Sequence, residues 1–311
     1  VCADGSDIAE PVQRHSGFSA DSTRQTLEVV CAAVGLDADG AELIRLGENA
    51  IYGLHGMPLV ARIARTIDYL PYAETEVAVA RWLESAGFPA LRLAGPEDQP
   101  VVVDGRPVTF WELLGDRRER GTARELAELL RWLHELVPPS SLVLPQLRPF
   151  GRVEARIEGA DLPAGDKEFL RARRAELGEQ YAGLEFALPA GPVHGDASIG
   201  NIFRRQSDGV AVLIDLDGFA LGPREWDLTL TAMYFERYGW QTERDYHDFI
   251  TGYGFDVMTW PGYPVLRDVR ELLMVAWLAQ NTRESPAIAA EVAKRITNLR
   301  LGDGRRDWLP F

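Results

Sequence analysis

The chain has 311 residues, 46% hydrophobic and 26% charged, which suits one large or two modest globular domains with a substantial core. Its net charge of −14 argues against a nucleic-acid binder, whose surface carries a basic face, and fits a cationic small-molecule ligand. No apolar run approaches the roughly 20 residues that span a bilayer, no secretory leader is visible, and Cys2 and Cys31 are too few for a disulfide framework or zinc cluster, so a cytoplasmic protein without membrane contact is expected.

Residues 1–17 are small and polar, without periodicity, and read as a mobile tail. Ser22, with Gln25 three residues on, predicts a capped helix to about Val34 that carries Leu27, Val30, Cys31 and Val34 on one side and stops at Gly35. Short apolar runs at 43–46, 50–54 and 59–64, separated by Gly-containing turns, predict an antiparallel meander. A helix over about 73–86 follows, stopped by Gly87 and Pro89. Strands at 101–103 and 108–111 flank Asp104-Gly105, a tight-hairpin signal.

Residues 18–111 therefore read as a small sheet with a helix inserted after its third strand, 112–115 as a connector, and 116–311 as a larger, mostly helical region. There, a Thr122/Glu125 capping box starts a helix to about Val137, and helical patterns cover about 166–181, 225–238, 244–253, 265–281 and 285–301. The clear β signal in this half is a hairpin, with strands at 202–204 and 210–214 around Ser207-Asp208-Gly209.

That hairpin carries the chemistry. His194-Gly195-Asp196 precedes it, Asn201 opens its first strand, and Asp215 follows its second. In-line phosphoryl transfer needs a group to orient and deprotonate the attacking hydroxyl, oxygen ligands for Mg²⁺, and a cation or backbone dipoles for the triphosphate. Mg²⁺ prefers carboxylate and amide oxygens, with water completing its octahedron. A hairpin of this length returns the chain close to its start, so Asn201 and Asp215 can share a metal while Asp196 faces an acceptor. Turn chemistry alone explains single Asp or Asn residues here, but not the whole set.

With His194-Gly195-Asp196 followed by Asn201, the chain resembles the aminoglycoside phosphotransferase family, whose H-G-D-x-x-x-x-N motif parallels the H-R-D-x-x-x-x-N of protein kinases. Ile214-Asp215 matches the family's metal-binding aspartate, and Gly222-Pro223 with Trp226-Asp227-Leu228 matches the segment after it. The similarity extends from about Leu43 to Tyr253. It implies an α+β, bilobal protein-kinase-like fold: a small antiparallel-sheet nucleotide lobe at 18–111, a hinge at 112–115, and a mostly helical catalytic and substrate-binding lobe at 116–311. It implies Asp196 as catalytic base, Asn201 and Asp215 as Mg²⁺ ligands, ATP or GTP as co-substrate, and Asp217 at the second metal or the substrate. His194 is expected to pin the loop by hydrogen bonds.

On the nucleotide side the resemblance implies a lysine on the third strand, paired with a glutamate on the next helix. Here Arg62 stands at the lysine position and Glu76 supplies the glutamate, while the sole lysines are Lys167 and Lys294. Arg keeps the charge but differs in bulk and geometry. Gly47 and Asn49 fall where the nucleotide loop lies, without the G-x-G-x-x-G pattern, and backbone groups of Glu112 and Leu114 would meet the base. The acceptor implied is a hydroxyl of an aminoglycoside or similar antibiotic, or alternatively of a sugar, choline-like amine or amino alcohol. A cationic acceptor would draw on carboxylates such as Asp217, Glu225 and Glu236.

Other classes fit less of the sequence. A two-His-one-carboxylate iron site from His194, Asp196 and His247 leaves Asn201 and Asp215 unexplained. A protein kinase lacks room for an activation loop between Asp215 and Gly222-Pro223 and has Gly195 in place of the arginine. A silent nucleotide-binding pseudokinase stays open because of Arg62. No G-x-S-x-G elbow exists around Ser198.

Overall fold

A computed structural model describes residues 17–115, 119–283, 285–302, 304 and 306–310. The tail expected at 1–17 lies outside them except for Gly17. The chain forms two compact units, Val1–Glu74 with Leu93–Leu113, and Thr75–Arg92 with Leu114–Phe311.

The first unit is built on α1 (Ala20–Val34) and a five-stranded antiparallel sheet. The helix starts earlier than its sequence suggests. Ser19 is the N-cap, its hydroxyl accepting from the Ser22 amide, while the Ser22 hydroxyl accepts from the Ser19 amide, so Ser22 closes the capping box from the third helical position. Strands β1 (Glu42–Leu46), β2 (Asn49–Gly53), β3 (Leu59–Ala64), β4 (Val101–Val103) and β5 (Arg106–Glu112) follow the order β1-β2-β3-β5-β4. Strand alternation sorts the side chains. Ala50 and Tyr52, Ala61 and Ile63, and Val108 and Phe110 join Leu27, Val30 and Cys31 of α1 in one buried core. Ile51, Arg62 and Thr109, which are cross-strand partners, point to the opposite face. Asp104 and Gly105 have φ of 49° and 72°, the positive pair that a two-residue type I′ turn requires.

Helix α2 (Leu70–Ser85) begins in the first unit, but from Thr75 its residues belong to the second. The stretch after it explains why. The Leu91 amide donates to the Leu213 carbonyl at 2.8 Å, and the Leu213 amide to the Pro89 carbonyl at 3.0 Å. Residues 89–91 thus run beside the strand at Ala211–Leu213, and Phe88 packs edge-on against Trp132 at 5.2 Å.

The second unit continues with α3 (Ala123–Glu135), α4 (Val153–Gly159), α5 (Ala164–Ala182), β6 (Gly191–Val193), β7 (Ile202–Arg204), β8 (Ala211–Leu213), β9 (Ala220–Gly222), α6 (Glu225–Met233), α7 (Glu243–Tyr253), α8 (Tyr263–Ala279) and α9 (Pro286–Leu301). Helix α8 is its centre: α4, α5, α6 and α9 all pack on it, around buried Leu266, Val269, Leu272, Val275 and Leu278. Strands β7 and β8 form the expected hairpin, and β6 pairs with β9, a short two-stranded sheet the sequence did not announce. The single helix expected at 225–238 is α6 followed by a π turn, Tyr234–Tyr238, that ends at Gly239 in the left-handed region. Buried Glu271 accepts from Arg237, Arg306 and Tyr238, and Arg295 donates to the Leu309 carbonyl, so the C-terminal residues are tied into the unit by charge-assisted bonds. Among the described residues, no helix is long and apolar enough to cross a membrane.

Candidate active site

Strand β6 ends at Val193, paired with Ala220 of β9, and the chain turns at once into His194-Gly195-Asp196. Gly195 has φ of +87°, and a Cβ there would stand 2.2 Å from the Gly218 carbonyl oxygen. A Cβ on Gly218 would stand 2.9 Å from the His194 carbonyl oxygen. Two glycines thus let the loop after β6 and the turn before β9 cross backbone to backbone, which sets Asp196 beside the turn that carries Asp215 and Asp217.

Several backbone polar groups around this crossing are held. Asp227, from the first turn of α6, accepts the His194 amide at 2.7 Å and the Gly195 amide at 2.9 Å, and His134 Nε2 approaches the same carboxylate at 3.1 Å. Burial works to raise the Asp227 carboxyl, but the bond to His134 and the bond from the His194 amide help to hold it below the ordinary aspartate value. The Gly195 carbonyl accepts from Trp226 Nε1 at 2.8 Å and Arg270 Nη2 at 2.9 Å. Fully buried His194 donates from Nε2 to the Ile214 carbonyl at 2.9 Å and accepts the Asp196 amide on Nδ1 at 3.2 Å, a pattern that requires the neutral Nε2–H tautomer. It therefore pins the His194–Asp196 loop to the end of β8.

The Asp196 side chain is 58% exposed. Its Oδ2 accepts from Asn201 Nδ2 at 3.2 Å, and its Oδ1 lies 3.8 Å from Arg270 Nη1. Burial, then the Asp196 charge, push the phenol of Tyr234 up to about 12, an effect that Arg270 and Arg295 partly offset. Asn201 also donates to the Asp196 carbonyl at 2.8 Å. Both bonds use the amide nitrogen, so Oδ1 remains an oxygen donor. The Asn201 carbonyl accepts the Ile214 amide at 3.0 Å, which sets Asn201 against the start of the Asp215 turn. Asp215 itself has φ of 62° and ψ of 61°. The Asn201 amide oxygen and the Asp215 carboxylate, with half-buried Asp217 two residues on, are of the hard oxygen type that Mg²⁺ accepts alongside water and phosphate. Among the described residues, no group of three or more His, Cys, Asp or Glu side chains could hold a metal by itself.

Two carboxylates expected to meet a cationic acceptor have other work. Glu225 is 0% exposed, and its Oε1 accepts the Leu188 amide at 2.7 Å, so it is part of the interior. Glu236 accepts from the Tyr263 hydroxyl at 2.8 Å and lies 3.6 Å from Arg267.

In the first unit, Arg62 projects from β3 on the face away from α1. The Asn49 amide, oriented with its oxygen toward the guanidinium, accepts from Arg62 Nε at 3.0 Å and Nη2 at 3.1 Å. Gly47 begins the β1–β2 turn; its amide donates to the Asn49 carbonyl at 3.0 Å, and its carbonyl accepts from Arg65 at 2.9 Å. Glu112 ends β5, paired with Leu59. Glu76 is buried on the part of α2 that belongs to the second unit, and the Leu114 carbonyl, also in that unit, accepts the Gln206 amide at 2.8 Å.

Residues 47–269 match the model of the phosphotransferase enzyme family. The chain belongs to the phosphotransferase enzyme family. This phosphotransferase is thus a small-molecule kinase that acts on a hydroxyl group. No curated protein sequence matches it. Among solved structures, it is similar to the choline kinase LicA from Streptococcus pneumoniae (TM-score 0.63, 12% identity, covering 89% of this chain and 99% of the other). It is also similar to a microcompartment-associated aminopropanol kinase (0.67, 18%, 88% and 94%) and to a spectinomycin phosphotransferase in complex with ADP and spectinomycin (0.62, 16%, 88% and 93%). At such identities the likeness shows the fold, a protein-kinase-like α+β architecture.

The phosphotransferase also has loop-holding residues that sequence reasoning left without a role. Asp227 and Trp226 were visible as part of a motif, but their partners were not. His134 reaches the site from α3 and Arg270 from α8; the one available signal was a charged residue inside an apolar helical stripe.

Proposed function

We propose that this phosphotransferase moves the γ-phosphoryl group of ATP or GTP onto a hydroxyl of a small molecule, with Asp196 as the base and Asn201 and Asp215 as Mg²⁺ ligands. The observation that carries this reading is an accessible Asp196 carboxylate on a loop whose His194, Gly195 and Asp196 amides are all engaged, with Asn201 on one side and the Asp215 turn alongside. Asp196 would accept the proton of the attacking hydroxyl as the new O–P bond forms and the nucleoside diphosphate leaves. Mg²⁺ bound at Asn201 and Asp215 would neutralise charge on the phosphate oxygens. Arg62 takes the cationic role that lysine has elsewhere in the family, with Glu76, Gly47, Asn49, Glu112 and Leu114 as the remaining nucleotide residues. The spectinomycin phosphotransferase with ADP supports a nucleotide co-substrate.

An aminoglycoside or similar antibiotic is one acceptor class and a metabolite hydroxyl the other. The burial of Glu225 and the engagement of Glu236 favour the second, because a polyamine needs several accessible carboxylates around it. A screen of antibiotics, sugars and amino alcohols for Mg²⁺-dependent nucleotide consumption tests both. Asp196→Ala is expected to lower transfer to the acceptor so found by about 10²–10⁴-fold; full activity in that variant would refute the mechanism.

A further inference from the structure

Arg270 lies in the middle of α8, only 5% exposed, with the likewise buried Arg267 and Glu271 beside it on the helix. A buried guanidinium is costly unless its donors are satisfied, and an apolar side chain of similar volume is often the more stable choice. Arg270 is not fully satisfied: its Nε has no hydrogen-bond partner. Packing alone is a poor account of an arginine at this position.

Its remaining contacts converge on one place. Nη2 donates to the Gly195 carbonyl at 2.9 Å and to the Trp226 carbonyl at 3.2 Å. The guanidinium lies over the Trp226 ring at 3.9 Å from its centroid, and the indole donates to the same Gly195 carbonyl. Nη1 stands 3.8 Å from Asp196 Oδ1, opposite the oxygen that Asn201 holds. The two ends of the Gly195–Asp196 peptide are therefore fixed by different elements: its carbonyl by α6 and α8, its amide by His194.

We infer that Arg270 is a positioning residue for the reaction, selecting the Asp196 conformation that faces the acceptor before any substrate arrives. The inference rests on the kinase reading above. A planar fork can bond two carbonyls while keeping a second nitrogen toward the carboxylate; a lysine ammonium has the charge without that fixed geometry. A methionine keeps the length and apolar contacts and supplies neither charge nor donor.

The test compares wild type with Arg270→Met, Arg270→Lys and Asp196→Asn. Three quantities are read: Mg²⁺-dependent release of ADP from ATP with water as acceptor, the Kd for a fluorescent ADP analogue, and Tm. Arg270→Met is expected to lose about 100-fold in kcat, the scale of a small misplacement of a reacting group, with nucleotide Kd and KM within a factor of two and a Tm no lower than that of wild type. Arg270→Lys is expected to fall between the two, and it carries the test should the methionine variant fail to fold. Wild-type kcat per folded molecule in either variant, or losses that track Tm alone, would overturn the assignment. Loss of turnover in Asp196→Asn with retention in both Arg270 variants would remove Arg270 alone. Wild-type turnover in Asp196→Asn, or none in the wild type, would remove the kinase reading and this one with it.

Discussion

Gly195 illustrates how one residue position is decided by its neighbour. Protein kinases carry arginine there, whereas in this fold the Gly218 carbonyl oxygen occupies the space a Cβ would need, at 2.2 Å, and the backbone is left-handed. Gly195→Ala must therefore separate two backbones and adopt a strained conformation. It is expected to lose about 2–4 kcal/mol of stability, measurable as a lower midpoint in urea unfolding, and a wild-type midpoint would show that the crossing is soft. At this scale the spacing of Asp196, Asn201 and Asp215 was legible as proximity: Asn201 lies against Asp196 and against the start of the Asp215 turn. The sequence was silent on Arg270 because that contact joins positions 75 residues apart and depends on how α8 crosses the loop. Nor did it show that Glu225 is buried, since pattern matching cannot distinguish such a residue from an exposed helix carboxylate.

Elements were readable in proportion to the strength of their local signals. The Thr122/Glu125 box and the Asp104-Gly105 turn are where they were expected, because capping and positive φ are decided within four residues. The α1 start moved because two serines compete for the cap and Ser19 wins by pairing reciprocally with Ser22. Strands β6 and β9, three residues each, carry too little periodicity to announce themselves, and their pairing depends on the glycine crossing between them. The coupling of residues 89–91 to β8 has no local signature at all, which is why the sheet region and the inserted helix were read as one block while the structure assigns Thr75–Arg92 to the second unit.

For the whole molecule, the fold followed from the order of sheet, helix and helical region together with the paired motifs, whereas the acceptor left no comparable trace. The acidic composition also makes a prediction. Asp227, Glu125 and Glu291 are held below their ordinary values by hydrogen bonds and neighbouring charges that outweigh burial, and Asp245 by its bonds to Thr242. A carboxylate whose folded value is lowered adds stability that is complete above its unfolded value and disappears as pH falls through the folded one. Asp268, pushed up by burial, works in the opposite sense. Stability is therefore expected to be flat near neutrality and to fall from about pH 4 downward, with Asp227→Asn flattening the fall. Urea midpoints from pH 7 to pH 3 check this, and equal slopes for variant and parent would exclude Asp227 as a contributor.

The left-handed backbone of Asp215 sets protein quality control against chemistry. A side chain in that region costs about 1–2 kcal/mol relative to the ordinary helical one, a strain that glycine escapes. Asp215→Gly is therefore expected to unfold no earlier than its parent, and up to about 1 kcal/mol later, while losing Mg²⁺-dependent turnover; a clearly lower Tm would show that the turn is unstrained. Directed evolution for heat resistance without an activity requirement would then be free to discard this aspartate, and an ortholog lacking it would be a sound protein that has retired as an enzyme.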